Sequence, residues 1–215
     1  MRMYQRTDRF LKSLVTRIRR EINHLSVMAF DELNVIRVRK ETTSMFTRLM
    51  EFCAKEYAEI CKAARRYALA QLTAKERKKA QEEDFDPVEF VETMVLKRYD
   101  PVTEYLYYPE ADRKRLRLAE GINATRESQN RPGYNALLKR NAKLLKDQFG
   151  QYAIETEDQT VIETWKAAGI EKVQWITQDD EKVCAECRPR HLQIYDINRI
   201  PGKHYNCRCY WRPVR

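Results

Sequence analysis

The sequence predicts a mainly α protein with a small C-terminal α+β module: a long N-terminal helical hairpin, then short helices, then a cysteine-stapled, β-rich tail. Three observations predict this. No proline occurs before Pro87 and no glycine before Gly121, so the first part of the chain lacks the residues that punctuate turns. Apolar residues recur at spacings of three and four, the period of one helix face. After Gly169 the texture changes to short β-favouring runs, and four of the six cysteines fall there.

The elements follow in order. Phe10, Leu14, Ile18, Ile22 and Leu25 form one helical stripe, and Phe46, Leu49, Cys53, Tyr57, Ile60 and Ala64 form a second. The polar stretch Arg39 to Ser44 is expected to be the turn of an antiparallel hairpin. Thr73 with Glu76 makes a capping box, and Asp86-Pro87 and Asp100-Pro101 each set a capping carboxylate before a proline suited to a first helical turn. Gly121 to Gly133 shows no period and is expected to be a loop. Leu138, Ala142, Leu145 and Phe149 define a helix expected to stop at Gly150. Thr156 and Gln159 are expected to box the start of another, with Val161 and Trp165 on its apolar face and Gly169 ending it. "VQWIT", "LQIYD" and "CYWRPV" are the strands. This divides the chain into an N-terminal helical region, 1–120, and a second region, 121–215, with a Cys-rich module at 173–215.

Hydrophobic residues at 43% beside charged residues at 34% describe a globular chain with a solvated surface, and no run of 18 apolar residues offers a membrane span. The first twenty residues lack the features of a secretory signal, so assembly in a reducing cytoplasm is expected. The net charge of +9 is uneven. Residues 1–40 hold ten Lys/Arg against four Asp/Glu, residues 184–215 hold seven against two, and Glu82 to Glu92 holds six acids and no base. Basic ends suit polyanion contact and the acidic block suits a docking edge, although solvated helix faces explain both equally well.

The tail reads C-x2-C, sixteen residues, then H-x2-C-x-C. About 45 residues with so few apolar side chains need a staple. A tetrahedral zinc site supplies one, with Cys184, Cys187, Cys207 and Cys209 as the leading ligand set and His204 as substitute or supporting residue. Cys207 and Cys209 can both face an ion because residues i and i+2 of a strand share a face. Two disulfides, and a nucleophilic cysteine partnered by His191 or His204, are the alternatives. Cys53 and Cys61 lie on an apolar helical stripe as small fillers, and His24 is a helix-surface or core histidine.

Trp175, Thr177, Asp180, Val183, Cys184, Cys187, Tyr195, Pro201, His204, Asn206, Cys207, Arg208, Cys209 and Pro213 together resemble the C-terminal signature of the phage head morphogenesis family, the Mu F-like minor head proteins. The resemblance covers residues 173–214 strongly and extends to the helical region from about Gly121 to Gly169. It implies a structural, non-enzymatic virion protein at the capsid interior or portal vertex, present in the host cytoplasm during assembly. Portal protein is the implied first partner, scaffold or major capsid protein a further one, and DNA a non-specific one, with no membrane involved. Some members carry an effector domain beyond the cysteines; a chain ending at Arg215 is expected to be the bare head protein. The family usually places a glycine a few residues after the second cysteine. Leu192 stands there, so a different turn, at Arg190 or His191, is expected. Two other classes compete: a zinc-stapled nuclease of the His-Asn-His kind acting on DNA, using His204 and Asn206, and a zinc regulator of transcription.

Overall fold

α1 (Gln5–Ser26) and α2 (Val35–Ala70) form the expected hairpin. Side-chain pairs run in opposite senses along them: Arg6 with Glu56, Glu21 with Arg48, His24 with Glu41. The computed structural model describes residues 3–28, 30, 33–96, 107–177, 184–204 and 207–215, with side chains for all but 94–96 and 107–112. The Asp100-Pro101 cap, Asp180, Val183 and Asn206 lie outside the described residues.

The hairpin turn is not at Arg39–Ser44, which is helical. α2 begins where the Asn34 side chain accepts from the Arg37 amide at 2.9 Å. The hydroxyls of Thr42 and Thr43 bond back to the Val38 and Arg39 carbonyls, at 2.9 and 2.8 Å, and so satisfy themselves without breaking the helix. Val38, Thr42 and Met45 simply extend the buried stripe upstream of Phe46.

α3 (Ala74–Glu82) carries the capping box at Thr73 and Glu76. α4 (Pro87–Phe90) starts on the Asp86 carboxylate, which accepts from Val88, and runs into a π-helical turn, Val91–Leu96. α5 (Tyr107–Glu127) and α6 (Arg131–Ala167) replace the expected loop at 121–133 and the expected break at Gly150. The connection is only Ser128–Asn130, with Gln129 at φ 53° and Asn130 capping α6 through the Gly133 amide. Gly121, where the sequence suggested a regional boundary, lies inside α5.

Gly121 and Gly150 are helix-contact residues rather than stops. A Cβ on Gly150 would stand 2.8 Å from Leu11 of α1, and one on Gly121 would stand 2.9 Å from Leu137 of α6. Thr156 does not open a helix either. Its hydroxyl bonds back to Tyr152, Thr160 to Thr156 and Thr164 to Thr160, each at 2.7 Å, while Gln159 reaches forward to Glu163. Gly169 does end α6, at φ 83°, a left-handed position suited to glycine.

α6 lies antiparallel to α1 and parallel to α2. Tyr134 bonds the Leu25 carbonyl, Tyr57 the Phe149 carbonyl, and the Trp165 indole the Ala68 carbonyl. A first core gathers Phe10, Leu14, Leu49, Tyr57, Leu118, Ile122 and Phe149 between the helices. Each such fully buried apolar side chain is worth about 1.5–3 kcal/mol.

The predicted strands form a three-stranded antiparallel sheet in the order β2-β1-β3, with β1 (Lys172–Ile176) central, β2 (Ile194–Asp196) and β3 (Tyr210–Val214). Val173 pairs with Tyr195 on one side and Pro213 on the other, and Trp175 pairs with Trp211. The sheet is continuous with a second core that mixes its Val173, Trp175 and Trp211 with Ile154, Val161 and Trp165 of α6 and Ala64 and Ala68 of α2.

Candidate metal centre

Two short segments bring the soft donors together. The first is a turn from Cys184 into the 3-10 turn Arg188–Arg190, where the Cys187 and Arg188 amides donate to the Cys184 carbonyl at 3.2 and 3.1 Å. The Cys187 amide also donates to the Cys184 sulfur at 3.3 Å, which orients that sulfur inward. The second segment leads into β3 and carries His204, Cys207 and Cys209. The Cys207 amide closes back on the His204 carbonyl at 3.1 Å.

Across the gap, Cys184 Sγ lies 3.0 Å from His204 Nε2, and Cys187 Sγ lies 3.6 Å from Cys207 Sγ. The donors fall into two overlapping groups, Cys184/Cys187/His204 and Cys187/Cys207/Cys209, whose ligand atoms lie within 4.8 Å of one another. Cys187 belongs to both. The five residues singled out from the spacing thus divide between two donor groups joined at Cys187, and Cys207 and Cys209 share one group although β3 begins only at Tyr210. The four thiols are free.

The electrostatics are those of crowded, partly buried thiols, with the Lys203 ammonium acting on Cys207 only as a minor influence. Burial, with hydrogen bonding to Cys184 and Cys207, pushes the Cys187 thiol up to about 12. Sharing a proton with Cys209, and burial, push Cys207 up further, while that same contact holds Cys209 below the ordinary thiol range. Neighbouring sulfurs cannot all ionise beside one another unless a cation compensates them. A bound metal ion does this, and thiolates are the ligands it needs.

A further observation fits a metal. The buried Trp175 indole N–H is directed at the Cys209 sulfur and favours its ionised form by hydrogen bonding, while the Trp211 indole N–H has no partner among the described residues. An indole donor facing a thiol is better matched when that sulfur becomes a metal-bound thiolate.

The remaining histidines and cysteines are placed otherwise. His191 Nδ1 accepts from the Thr177 amide at 3.2 Å and meets the Thr177 hydroxyl at 2.8 Å, so this ring ties the end of β1 to the cysteine turn rather than pairing with a thiol. Cys53 and Cys61 are buried helical fillers, each raised to about 12 by burial. His24 is exposed and 3.3 Å from Glu41. The turn after the cysteines falls where expected. It runs from Arg190 to Gln193, closed by the Gln193 amide on the Arg190 carbonyl at 3.0 Å, with His191 and Leu192 at its centre and Leu192 at φ 63°.

Sequence reasoning missed what lies beneath the centre. Tyr4, at φ 63°, buries its hydroxyl 2.6 Å from Asp158 and donates to the Cys209 carbonyl at 2.9 Å. Lys203 reaches both Asp158 oxygens at 2.8 Å and covers the Trp211 ring at 3.8 Å. Glu157 accepts from the Tyr4 amide and the Thr7 hydroxyl, and its burial raises it to about 7. Glu157 and Asp158, at helical spacing from Ile154, Val161 and Trp165, were the available signal. No described helix is long and apolar enough to cross a membrane. Comparison with protein-family models, curated proteins and solved structures found no match to this chain.

Proposed function

We propose that this chain is a structural assembly protein of the phage head morphogenesis kind, which binds zinc in its C-terminal module and docks at the portal vertex. The observation that carries this reading is the clustering of Cys184, Cys187 and His204, and of Cys187, Cys207 and Cys209, in two donor groups that share Cys187, on a knob packed against a helical bundle. Thiolate and imidazole donors in this number suit a closed tetrahedral zinc site that contributes folding energy rather than catalysis. Cys184 and Cys187 supply two ligands, and two of His204, Cys207 and Cys209 complete the set. The role in head assembly rests on the resemblance of residues 173–214 to the C-terminal signature of the Mu F-like proteins. Long helices with exposed basic residues suit partner-helix and phosphate contact, salt-sensitive and indifferent to base sequence.

The competing nuclease reading needs His204 to activate water. Its Nε2 instead lies against the Cys184 sulfur, which favours a ligand or supporting role. Elemental analysis of reduced, purified protein is expected to give close to one zinc per chain, and portal protein is expected to co-purify at low salt. Metal-free folded protein, or no portal capture, would count against the respective half of the proposal. Plasmid nicking in magnesium or manganese that disappears in His204→Ala would replace it with the enzyme.

A further inference from the structure

The segment carrying His204, Cys207 and Cys209 does two jobs. Each of its donors is adjacent to, or is itself, a group that grips the beginning of the chain. Lys203, next to His204, holds the Tyr4 hydroxyl at 2.7 Å and both Asp158 oxygens. Arg208, between Cys207 and Cys209, pairs with Asp8 and lies 5.0 Å over the Tyr4 ring. The Cys209 carbonyl receives the Tyr4 hydroxyl. Tyr4 is only 2% exposed and sits in a left-handed conformation that a tyrosine keeps only when its surroundings impose it. From the other side, Glu157 takes the Tyr4 amide at 2.6 Å and the Thr7 hydroxyl at 2.5 Å.

We infer that the metal centre is the latch for the N-terminal end of α1: an ion fixes the 203–209 segment, and that segment holds Tyr4 and the first turn of α1 against Asp158 and Glu157 of α6. This rests on the metal reading above. Three contacts reach the N-terminus from Lys203, Arg208 and Cys209, which lie in no described helix or strand and stand beside or among the donors His204, Cys207 and Cys209. Loss of the ion, by chelation or by thiol oxidation, frees Lys203, Arg208 and the Cys209 carbonyl together and lets the N-terminal turn open, while the helical core around Leu49 and Tyr57 stays closed. The centre is thereby a control point for how firmly the first turn of α1 is held to α6.

Hydrogen–deuterium exchange on the full chain tests this, with zinc content measured on the same samples. On stripping zinc from the reduced protein, the peptide covering residues 3–10 is expected to exchange at least tenfold faster, with the peptide covering 46–57 unchanged. Asp158→Asn is expected to keep its zinc yet show the fast N-terminal exchange with or without the ion. A reduced chain that takes up no zinc overturns the metal reading and the latch together. A chain that binds zinc, loses it and keeps its N-terminal protection overturns the latch alone. So does uniform loss of protection through residues 46–57, or an Asp158→Asn protein that behaves like the parent.

Discussion

The helical bundle around Phe10, Leu49 and Tyr57 and the module around Trp175 and Trp211 both bury aromatic rings, yet they satisfy their polar groups differently. In the bundle, Tyr57 closes on the Phe149 carbonyl, Tyr134 on Leu25, and the threonine series 156, 160 and 164 on their own helix, while Arg17 Nε, Asn123 Oδ1 and Arg126 Nε are buried without a hydrogen-bond partner among the described residues. In the module, the Trp211 indole N–H lacks a partner among the described residues and thiols crowd one another. Bonds within and between helices characterise the first region, and a cluster of soft donors that could hold an ion characterises the second. Area and hydrogen bonds hold the first; the second adds a demand for positive charge among its sulfurs.

The largest expected break in that contrast is Cys187→Ser, because Cys187 belongs to both donor groups. Zinc content should fall from about one per chain to near zero, with loss of metal-derived stabilisation on the order of 10 kcal/mol in the module. Near-ultraviolet dichroism from Trp175 and Trp211 should collapse while helical dichroism persists; a retained aromatic signal would show that packing on α6 suffices. Next comes Trp165→Ala, at about 3–5 kcal/mol by thermal unfolding. Trp165 is fully buried in the second core and bonded to Ala68, so both regions should weaken together. If only the module melts, the two are less joined than the shared core implies.

Glu157 offers a pH readout. Its pKa is raised in the folded state to about 7, so its favourable contribution is complete below the unfolded carboxylate value and is lost as pH rises through about 7. Glu157→Gln should therefore gain stability relative to the parent between about pH 4.5 and 7, by roughly 3 kcal/mol, against the fixed loss of one acceptor for Tyr4 or Thr7. Equal pH profiles for the two proteins would sink this. Smallest is Leu192→Gly, expected to raise stability by about 1 kcal/mol, since a left-handed leucine is strained and this one is half-exposed.

The sequence made the helix faces, caps and strands readable because each is set within a few residues: Thr73 with Glu76, Asp86 with Val88, the run at Val173 to Ile176. It made the donor set readable because two pairs of cysteines and a histidine at fixed spacing have few uses. It misled at Arg39–Ser44, Gly121 and Gly150, where polar runs and glycines usually mark turns. There the decision belonged to distant partners: Leu11 close against Gly150, Leu137 close against Gly121, and a buried stripe that carries Val38 and Thr42 along. The Tyr4–Asp158–Lys203 cluster was illegible for the same reason, since its members are separated by most of the chain.

Uninterrupted α6 has a consequence of scale. At 37 residues it measures roughly 55 Å end to end. Tyr134 fastens one end beside the hairpin turn, and Trp165 fastens the other beside the sheet. A neighbour seated on the turn and another seated on the knob would be kept at a set separation, so the molecule has the makings of a ruler.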